Sequence, residues 1–165
     1  MKRIFVINPG CTSTKVAVYE DETAVWTSDG LHAPEDIEKF TTVAEQYEYR
    51  KDFILNLLKE AGIPLQFDAV IGRGGLLKPL HGGVYAVNEQ MKHDLNHAKH
   101  QHVCNLGCLI ADEIARQCHC PAFMADPVVV DEMMTRARYT GLPFMKRESI
   151  FHALNAKAAS RRYAR

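Results

Sequence analysis

The sequence lacks the features of several protein classes. Its 165 residues carry 20 basic and 20 acidic side chains, so neither charge is in excess. Proteins that bind nucleic acid or a membrane surface generally need a basic excess. No apolar run approaches the roughly 20 residues of a membrane span, and the first residues lack the apolar segment of a signal peptide. We therefore expect no nucleic-acid partner and no membrane association.

The number of cysteines is odd. Five cysteines in a chain with no mark of secretion favour reduced thiols and a cytoplasmic protein. Cysteine and histidine are dense between residues 97 and 120, which raises the question of zinc. Cys104 and Cys108 lie within an apolar helical pattern, however, and the spacing of Cys118 and Cys120 suits ligands only in a strand. We interpret Cys104 and Cys108 as small buried apolar residues and predict no metal ligands in the protein.

The periodicity predicts a single α/β domain. Alternating apolar residues predict strands at 3–7, 15–19 and 23–27, and buried strands at 67–75 and 121–127. Helical spacing predicts a helix from Val43 to Ala61, one capped by Asn88, one from Val103 and one from Ser149 onward. A loop and a short strand fill the stretch between residues 76 and 87. A hydrophobic fraction of 47% supports a normal core.

A polar turn joins the first two strands. It reads NPGCTSTK at residues 8–15 and offers an amide, a glycine, two hydroxyls and an amine, from Asn8, Gly10, Thr12, Ser13 and Lys15. It is not a P-loop, because the required glycine spacing is missing and no helix follows it. A hairpin tip can still bind phosphate through backbone N–H groups and short side chains. On these residues alone, an ordinary polar turn remains an open alternative.

The whole string resembles the first phosphate loop of acetate and butyrate kinases, which belong to the superfamily of actin, sugar kinases and heat-shock chaperones. Further segments resemble butyrate kinases in the family's order: VIGRGGLLKPLHGGVYAVNEQM, HVCNLGCLIADEIA, ADPVVVDEM and ESIFHALNAKA. The resemblance covers essentially the whole chain but about the first half of such an enzyme. It implies a ribonuclease-H-like (actin-like ATPase) fold with a five-stranded mixed sheet and helices on both faces.

The resemblance also implies an organisation and an activity. Residues 1–165 would form the N-terminal acyl-substrate lobe, and the C-terminal nucleotide-binding lobe would be absent. The last apolar helix runs into Arg165 without a stop signal, which fits that expectation. The implied reaction is reversible transfer of the ATP γ-phosphate to a short-chain carboxylate such as butyrate, with Mg²⁺. A homo-oligomer is expected.

Site residues follow from the resemblance. Arg73 would face the acyl substrate, Asp126 would orient the metal's waters or the attacking group, and His152 would contact the transferring phosphoryl group. The residues of the polar turn, from Asn8 to Lys15, would bind phosphate. A carboxylate is already ionised at pH 7, so such a site needs cations and neutral donors rather than a general base.

Some positions depart from the family pattern or stay open. Cys11 stands where the family usually has serine, and a thiol is the poorer hydrogen-bond donor. The roles of His81 and His102 stay open, because their spacing meets the family pattern only loosely. Two alternative functions also remain: a stand-alone binding module without activity, and a kinase acting on an alcohol with Asp126 as base.

Overall fold

A computed structural model describes all 165 residues as a six-stranded sheet with five α-helices. The strands are β1 (Arg3–Pro9), β2 (Ser13–Glu20), β3 (Thr23–Leu31), β4 (Ala69–Arg73), β5 (Val84–Ala86) and β6 (Ala122–Ala125). The helices are α1 (Pro34–Ile37), α2 (Gln46–Glu60), α3 (Glu89–Asn96), α4 (Cys104–Gln117) and α5 (Ala153–Tyr163), and a 3₁₀ turn spans Thr135–Arg138.

The sheet is mixed, in the order β3-β2-β1-β4-β6-β5. β1, β2 and β3 form an antiparallel meander, while β4 pairs in parallel with both β1 and β6. The carboxyl ends of β1, β4 and β6 therefore meet at one edge, the place where open α/β sheets bind ligands. The α/β fold class is confirmed, but the predicted count of five strands is one short. The sixth strand, β5, is the short strand predicted between residues 76 and 87, and its three residues pair with β6 at the sheet edge.

One face of the sheet carries the main core. The side chains of Phe5, Ile7 and Val18 are fully buried there against residues of α2 and α4 such as Ile54 and Ile110. On the opposite face, side chains such as those of Ile4, Val6, Ile71 and Phe123 are only partly buried. The prediction of helices on both faces is therefore met on one face only.

Helix α4 lies unusually close to strand β4. A Cβ atom on Gly72 would fall 2.5 Å from the main-chain oxygen of Gly107, so the helix and the strand can approach this closely only with glycine at the contact. After the strand, Gly74 and Gly75 take φ angles of 100° and 120°, which other residues rarely adopt. The close contact places the start of α4 beside the carboxyl ends of the strands.

The last helix begins later than the sequence predicts. Ser149 is buried, and its hydroxyl donates to the main-chain oxygen of Val130 at 2.8 Å, while the N–H of Phe151 donates to Val128. These contacts hold residues 149–152 against the segment after β6, and α5 starts at Ala153. The predicted cap of α3 is confirmed, since the Asn88 side chain accepts from the N–H of Met91. None of the helices combines the length and apolar character needed to cross a membrane.

Candidate active site

Three predicted site residues sit at the meeting point of the parallel strands. Asn8 lies near the end of β1, Arg73 ends β4, and Asp126 directly follows β6. The register pairs Ile7 with Gly72, so Asn8 and Arg73 are the next residues on adjacent strands. Because side chains alternate along a strand, Asn8 and Arg73 share the sheet face that α2 and α4 leave open.

The Asp126 carboxylate joins Arg73 and His152. Its Oδ2 lies 3.1 Å from Nη2 of Arg73 and 3.2 Å from Nδ1 of His152, and its Oδ1 accepts from the N–H of Leu154 at 3.2 Å. His152 Nδ1 also lies 2.9 Å from the main-chain oxygen of Asp126. The structure thus brings together the three residues predicted as catalytic, which stand 53 and 26 positions apart.

The cluster leaves one nitrogen of Arg73 and one of His152 outside its own contacts. Arg73 contacts Asp126 through Nε and Nη2, so Nη1 makes no contact with the carboxylate. His152 uses Nδ1, which leaves Nε2 for a ligand, and the ring is about one-third exposed. Asp126 itself adopts a φ of 48°, a conformation that aspartate tolerates better than most residues and that is common at functional sites.

The hairpin tip presents two main-chain donors. The N–H of Gly10 donates to the main-chain oxygen of Ser13 at 2.7 Å and closes the turn. Gly10 therefore cannot offer that N–H to phosphate, although the sequence places it among the phosphate-binding residues. The N–H groups of Cys11 and Thr12 donate to no protein acceptor, and both residues are exposed. They are the main-chain donors that the tip offers to an anion.

The charge expected from Lys15 is already paired. Its ammonium lies 2.7 Å from the carboxylate of Asp29 on β3, and hydrogen bonding to Lys15 lowers the pKa of Asp29 below its ordinary value. Both side chains are at least half exposed, so water can compete for this pair. The pair reduces the net positive charge that Lys15 brings to the turn.

A different cation lies behind the turn, and the sequence reasoning missed it. Arg50 of α2 is fully buried and donates to the main-chain oxygens of Gly10 and Cys11 at 3.0 and 3.2 Å. The position of Arg50 in the sequence indicates a buried arginine. The buried residues of α2 recur every four positions, and Arg50 stands in that stripe with Ile54 and Leu58. An arginine in an apolar stripe needs buried partners.

His102 lies beside the turn, at the start of α4. Its Nδ1 accepts from the N–H of Cys104 at 3.2 Å, so in the neutral ring Nε2 carries the proton. That Nε2 lies 3.6 Å from the Cys11 sulfur. No helix follows this loop in the chain. In space, however, α4 begins beside the loop and brings the partial positive charge of a helix N-terminus.

The cysteines differ sharply in environment. Cys11 is exposed at the tip, whereas Cys104 and Cys108 are buried in α4. Burial raises the pKa of the Cys108 thiol to about 12 and also raises that of Cys104. His81 is exposed, and a Cβ on its neighbour Gly82 would fall 3.0 Å from the side chain of Leu154.

Two solved structures that share this fold are an acetate kinase and a propionate kinase. The chain aligns over 99% of its length with an acetate kinase from Porphyromonas gingivalis at a TM-score of 0.59, covering 49% of that chain with 13% identity. A propionate kinase from Francisella tularensis gives a TM-score of 0.58 at 14% identity, with 99% of this chain and 48% of the other aligned. The architecture is thus that of the acetate and propionate kinases.

Sequence comparison gives the particular family. A probable butyrate kinase from Phocaeicola vulgatus is 65% identical over 162 residues, which are 98% of this chain and 46% of the relative. Butyrate kinase 1 from Clostridium acetobutylicum is 49% identical over 167 residues, covering all of this chain and 47% of the relative. No protein-family model matches. Over the residues present, the chain is similar to butyrate kinases, and it spans about half the length of the curated relatives it matches.

Proposed function

We propose that the chain is the acyl-substrate lobe of a butyrate kinase. The complete enzyme would transfer the γ-phosphate of ATP reversibly to butyrate or a similar short-chain carboxylate. The observation that carries this proposal is the meeting of the hairpin tip, Arg73, Asp126 and His152 at one edge of the sheet. The names of the relatives support the same reaction.

The geometry matches the demands of that chemistry. A carboxylate nucleophile needs no base, but it must be held against a phosphate that is also negative. We assign the free edge of the Arg73 guanidinium to an oxygen of the acyl substrate or of the transferring phosphoryl group. His152 Nδ1 faces two oxygens of Asp126 and carries a proton there, so Nε2 would donate to the same phosphoryl group from the doubly protonated ring. Asn8 with the tip N–H groups and the hydroxyls of Thr12 and Ser13 would hold phosphate oxygens.

The residues present suit a nucleotide phosphate and its magnesium ion. The tip offers neutral donors with a cation behind them, which is suited to a phosphate. Asp126 is the carboxylate at the strand ends, and it would hold the waters of Mg²⁺. When bound, the ion supplies charge neutralisation on the phosphate oxygens. The role of Asp126 toward Arg73 and His152 is to fix the direction in which each presents its remaining donor.

The hydrogen bonds of Asp126 disfavour an alcohol as acceptor. An alcohol kinase needs a base that takes the hydroxyl proton, and Asp126 is the candidate at this edge. The two oxygens of Asp126 offer about four acceptor positions. Donors from Arg73, His152 and Leu154 already occupy about three of them. About one acceptor position remains, which would hold a water of Mg²⁺ and leave none for a substrate hydroxyl, whereas a carboxylate acceptor needs none.

The proposal includes the organisation of the complete enzyme. Since the relatives are about twice as long, we place the adenosine-binding lobe outside residues 1–165. Exposed apolar side chains such as Phe144, Ile150 and Phe151 support contact with that lobe or with a second subunit. Use of ATP and five unpaired cysteines support a cytoplasmic location.

A fusion protein tests the proposal. Residues 1–165 are joined to the part of the P. vulgatus relative that the match leaves uncovered, and acyl phosphate is trapped as hydroxamate from ATP and butyrate, acetate or propionate. A sugar is tested in parallel by ADP release. We expect activity with the short carboxylates and none with the sugar. An active fusion that phosphorylates the sugar, or a folded fusion that phosphorylates no carboxylate, would contradict the proposal.

A further inference from the structure

Arg50 is a fully buried arginine whose hydrogen-bond acceptors are all neutral. Nε donates to Gln46 Oε1 at 2.9 Å, Nη1 to the Gly10 main-chain oxygen at 3.0 Å and to Thr14 Oγ1 at 3.1 Å, and Nη2 to the Cys11 main-chain oxygen at 3.2 Å. Buried charges in proteins are usually paired with an opposite charge. No such partner accepts from Arg50, so its charge lacks a counter-ion.

The side chains around Arg50 do not supply the missing charge. His32 Nε2 lies 3.3 Å from Nη1 of Arg50, and burial together with that guanidinium lowers the pKa of His32 to about 4. His32 is therefore neutral at pH 7, and its Nδ1 contacts the hydroxyl of Tyr49 at 3.1 Å. Burial also raises the pKa of Tyr49, which keeps that hydroxyl neutral.

The contacts of Arg50 set the direction of the donors at the hairpin tip. In a trans peptide the C=O and N–H groups point in opposite directions. The Gly10 C=O shares a peptide unit with the Cys11 N–H, and the Cys11 C=O shares one with the Thr12 N–H. Because Arg50 holds both oxygens inward, both N–H groups face outward. These are the two tip donors that have no protein acceptor.

We propose that Arg50 is a positioning residue for the phosphate-binding tip. It fixes the N–H groups of Cys11 and Thr12 toward the ligand, and its buried positive charge is compensated when a phosphate dianion binds in front of them. A phosphate therefore acts as the counter-ion that the fold does not supply. The inference rests on the proposed function, since it assumes that the tip receives a phosphate of the substrates.

The test compares Arg50→Met and Arg50→Lys with the unsubstituted chain, and uses Arg116→Met on the exposed side of α4 as the control. Inorganic phosphate is titrated while the amide resonances of Cys11 and Thr12 are followed. Loss of charge-assisted positioning should raise the phosphate Kd roughly 10-fold or more in Arg50→Met. We expect about a 3-fold rise in Arg50→Lys, which keeps the charge but loses the fork. The Arg116→Met control should leave the Kd unchanged.

A second readout needs no phosphate. Alkylation of Cys11 by the iodoacetate anion, followed on its peptide by mass spectrometry, should slow roughly 3-fold or more in Arg50→Met, because the buried positive charge that attracts the anionic reagent to the tip is gone. Arg50→Lys should restore the rate. A purely structural role would have the opposite effect, since a loosened tip exposes Cys11 further and speeds its alkylation.

The outcomes separate this inference from the proposed function. An unchanged phosphate Kd in Arg50→Met, or alkylation that becomes faster in both variants, would overturn the role of Arg50. Should Arg50→Met fail to fold, Arg50→Lys decides, and a Kd equal to that of the unsubstituted chain would then overturn it. A complete absence of phosphate response in the unsubstituted chain would count against the proposed function, while the alkylation series would still decide whether the charge of Arg50 acts on the tip.

Discussion

The carboxylate of Asp126 accepts from the guanidinium of Arg73 at 3.1 Å, across two adjacent parallel strands of the sheet. Both side chains are largely but not fully buried, with 13% and 26% exposed. The pair orients Arg73 along the strand ends, and the same carboxylate oxygen contacts His152. One buried acid therefore sets the position of both donors that we assign to the phosphoryl group.

Asp126→Asn removes the charge that orients the cluster. Asparagine tolerates the φ of 48°, so the fold should be kept. We expect the fusion protein to lose roughly 100-fold or more in kcat/KM for butyrate. Asp131→Asn is the control, because Asp131 forms a similarly buried pair with Arg138 at 2.8 Å. Equal losses in the two variants would show that the effect is structural.

Arg73→Lys keeps the positive charge but loses the planar fork. One edge of the guanidinium contacts Asp126, so a lysine cannot serve Asp126 and a substrate oxygen in the same way. We expect a loss of roughly 2–4 kcal/mol of transition-state stabilisation, about 30- to 1000-fold in rate, in the hydroxamate assay. Arg138→Lys should change the rate by less than about 3-fold. Full activity of Arg73→Lys would remove the assigned role.

His32 predicts a dependence of stability on pH. The pKa of His32 falls from 6.5 to about 4 in the folded chain, so protonation below pH 6.5 favours the unfolded chain. The contribution of neutral His32 to the free energy of unfolding is therefore complete above pH 6.5 and is lost as the pH falls toward 4. Between pH 6.5 and about pH 5 the free energy of unfolding should drop by about 2 kcal/mol through this group. Urea unfolding of His32→Gln should lack that part of the drop.

His100→Gln is the matched control for the pH experiment, because His100 is exposed. It should follow the pH dependence of the unsubstituted chain. If the free energy of unfolding of His32→Gln depends on pH as steeply as that of His100→Gln, then the fold does not hold His32 neutral. One argument that Arg50 lacks a charged partner would then fail.

Cys11 should be the reactive thiol. It is exposed beside Nε2 of His102, whereas Cys104 and Cys108 are buried and burial raises their pKa values. We expect iodoacetamide to label Cys11 at least about 10-fold faster than either, and phosphate to protect it. Peptide mass spectrometry measures the rates directly. Labelling of Cys11 that is fast but insensitive to saturating phosphate would place the anion elsewhere.

The sequence predicted the meander, the main helices and the strand-end residues well, because each is a local pattern. Alternation marks β1 and β2, and Asp126 stands directly after an apolar strand. The prediction failed where the cause is distant in the chain. Arg50 serves a turn about 40 residues earlier, and no local pattern records that contact.

The other failures have the same physical origin. Helix α4 starts beside the hairpin tip because Gly72 and Gly107 allow close packing of the helix on β4. Two glycines far apart in the sequence do not predict that contact. The sequence offers the amine of Lys15 to the tip, yet Asp29 on the neighbouring strand pairs with it once the meander forms. Which residues face each other on neighbouring strands depends on the register, and the sequence patterns do not predict the register of β2 and β3.

The central claim is that the ends of β1, β4 and β6 form a single anion site, and co-titration tests it most directly. Phosphate is added to the chain while the amides of Cys11 and Thr12 and the side-chain signals of Arg73 and His152 are followed together by NMR. The account predicts that the tip and the Arg73–His152 cluster respond with one shared Kd, and that Asp126→Asn weakens both responses while Asp131→Asn weakens neither. Two unrelated dissociation constants, or a response at the tip with none at Arg73 and His152, would contradict it.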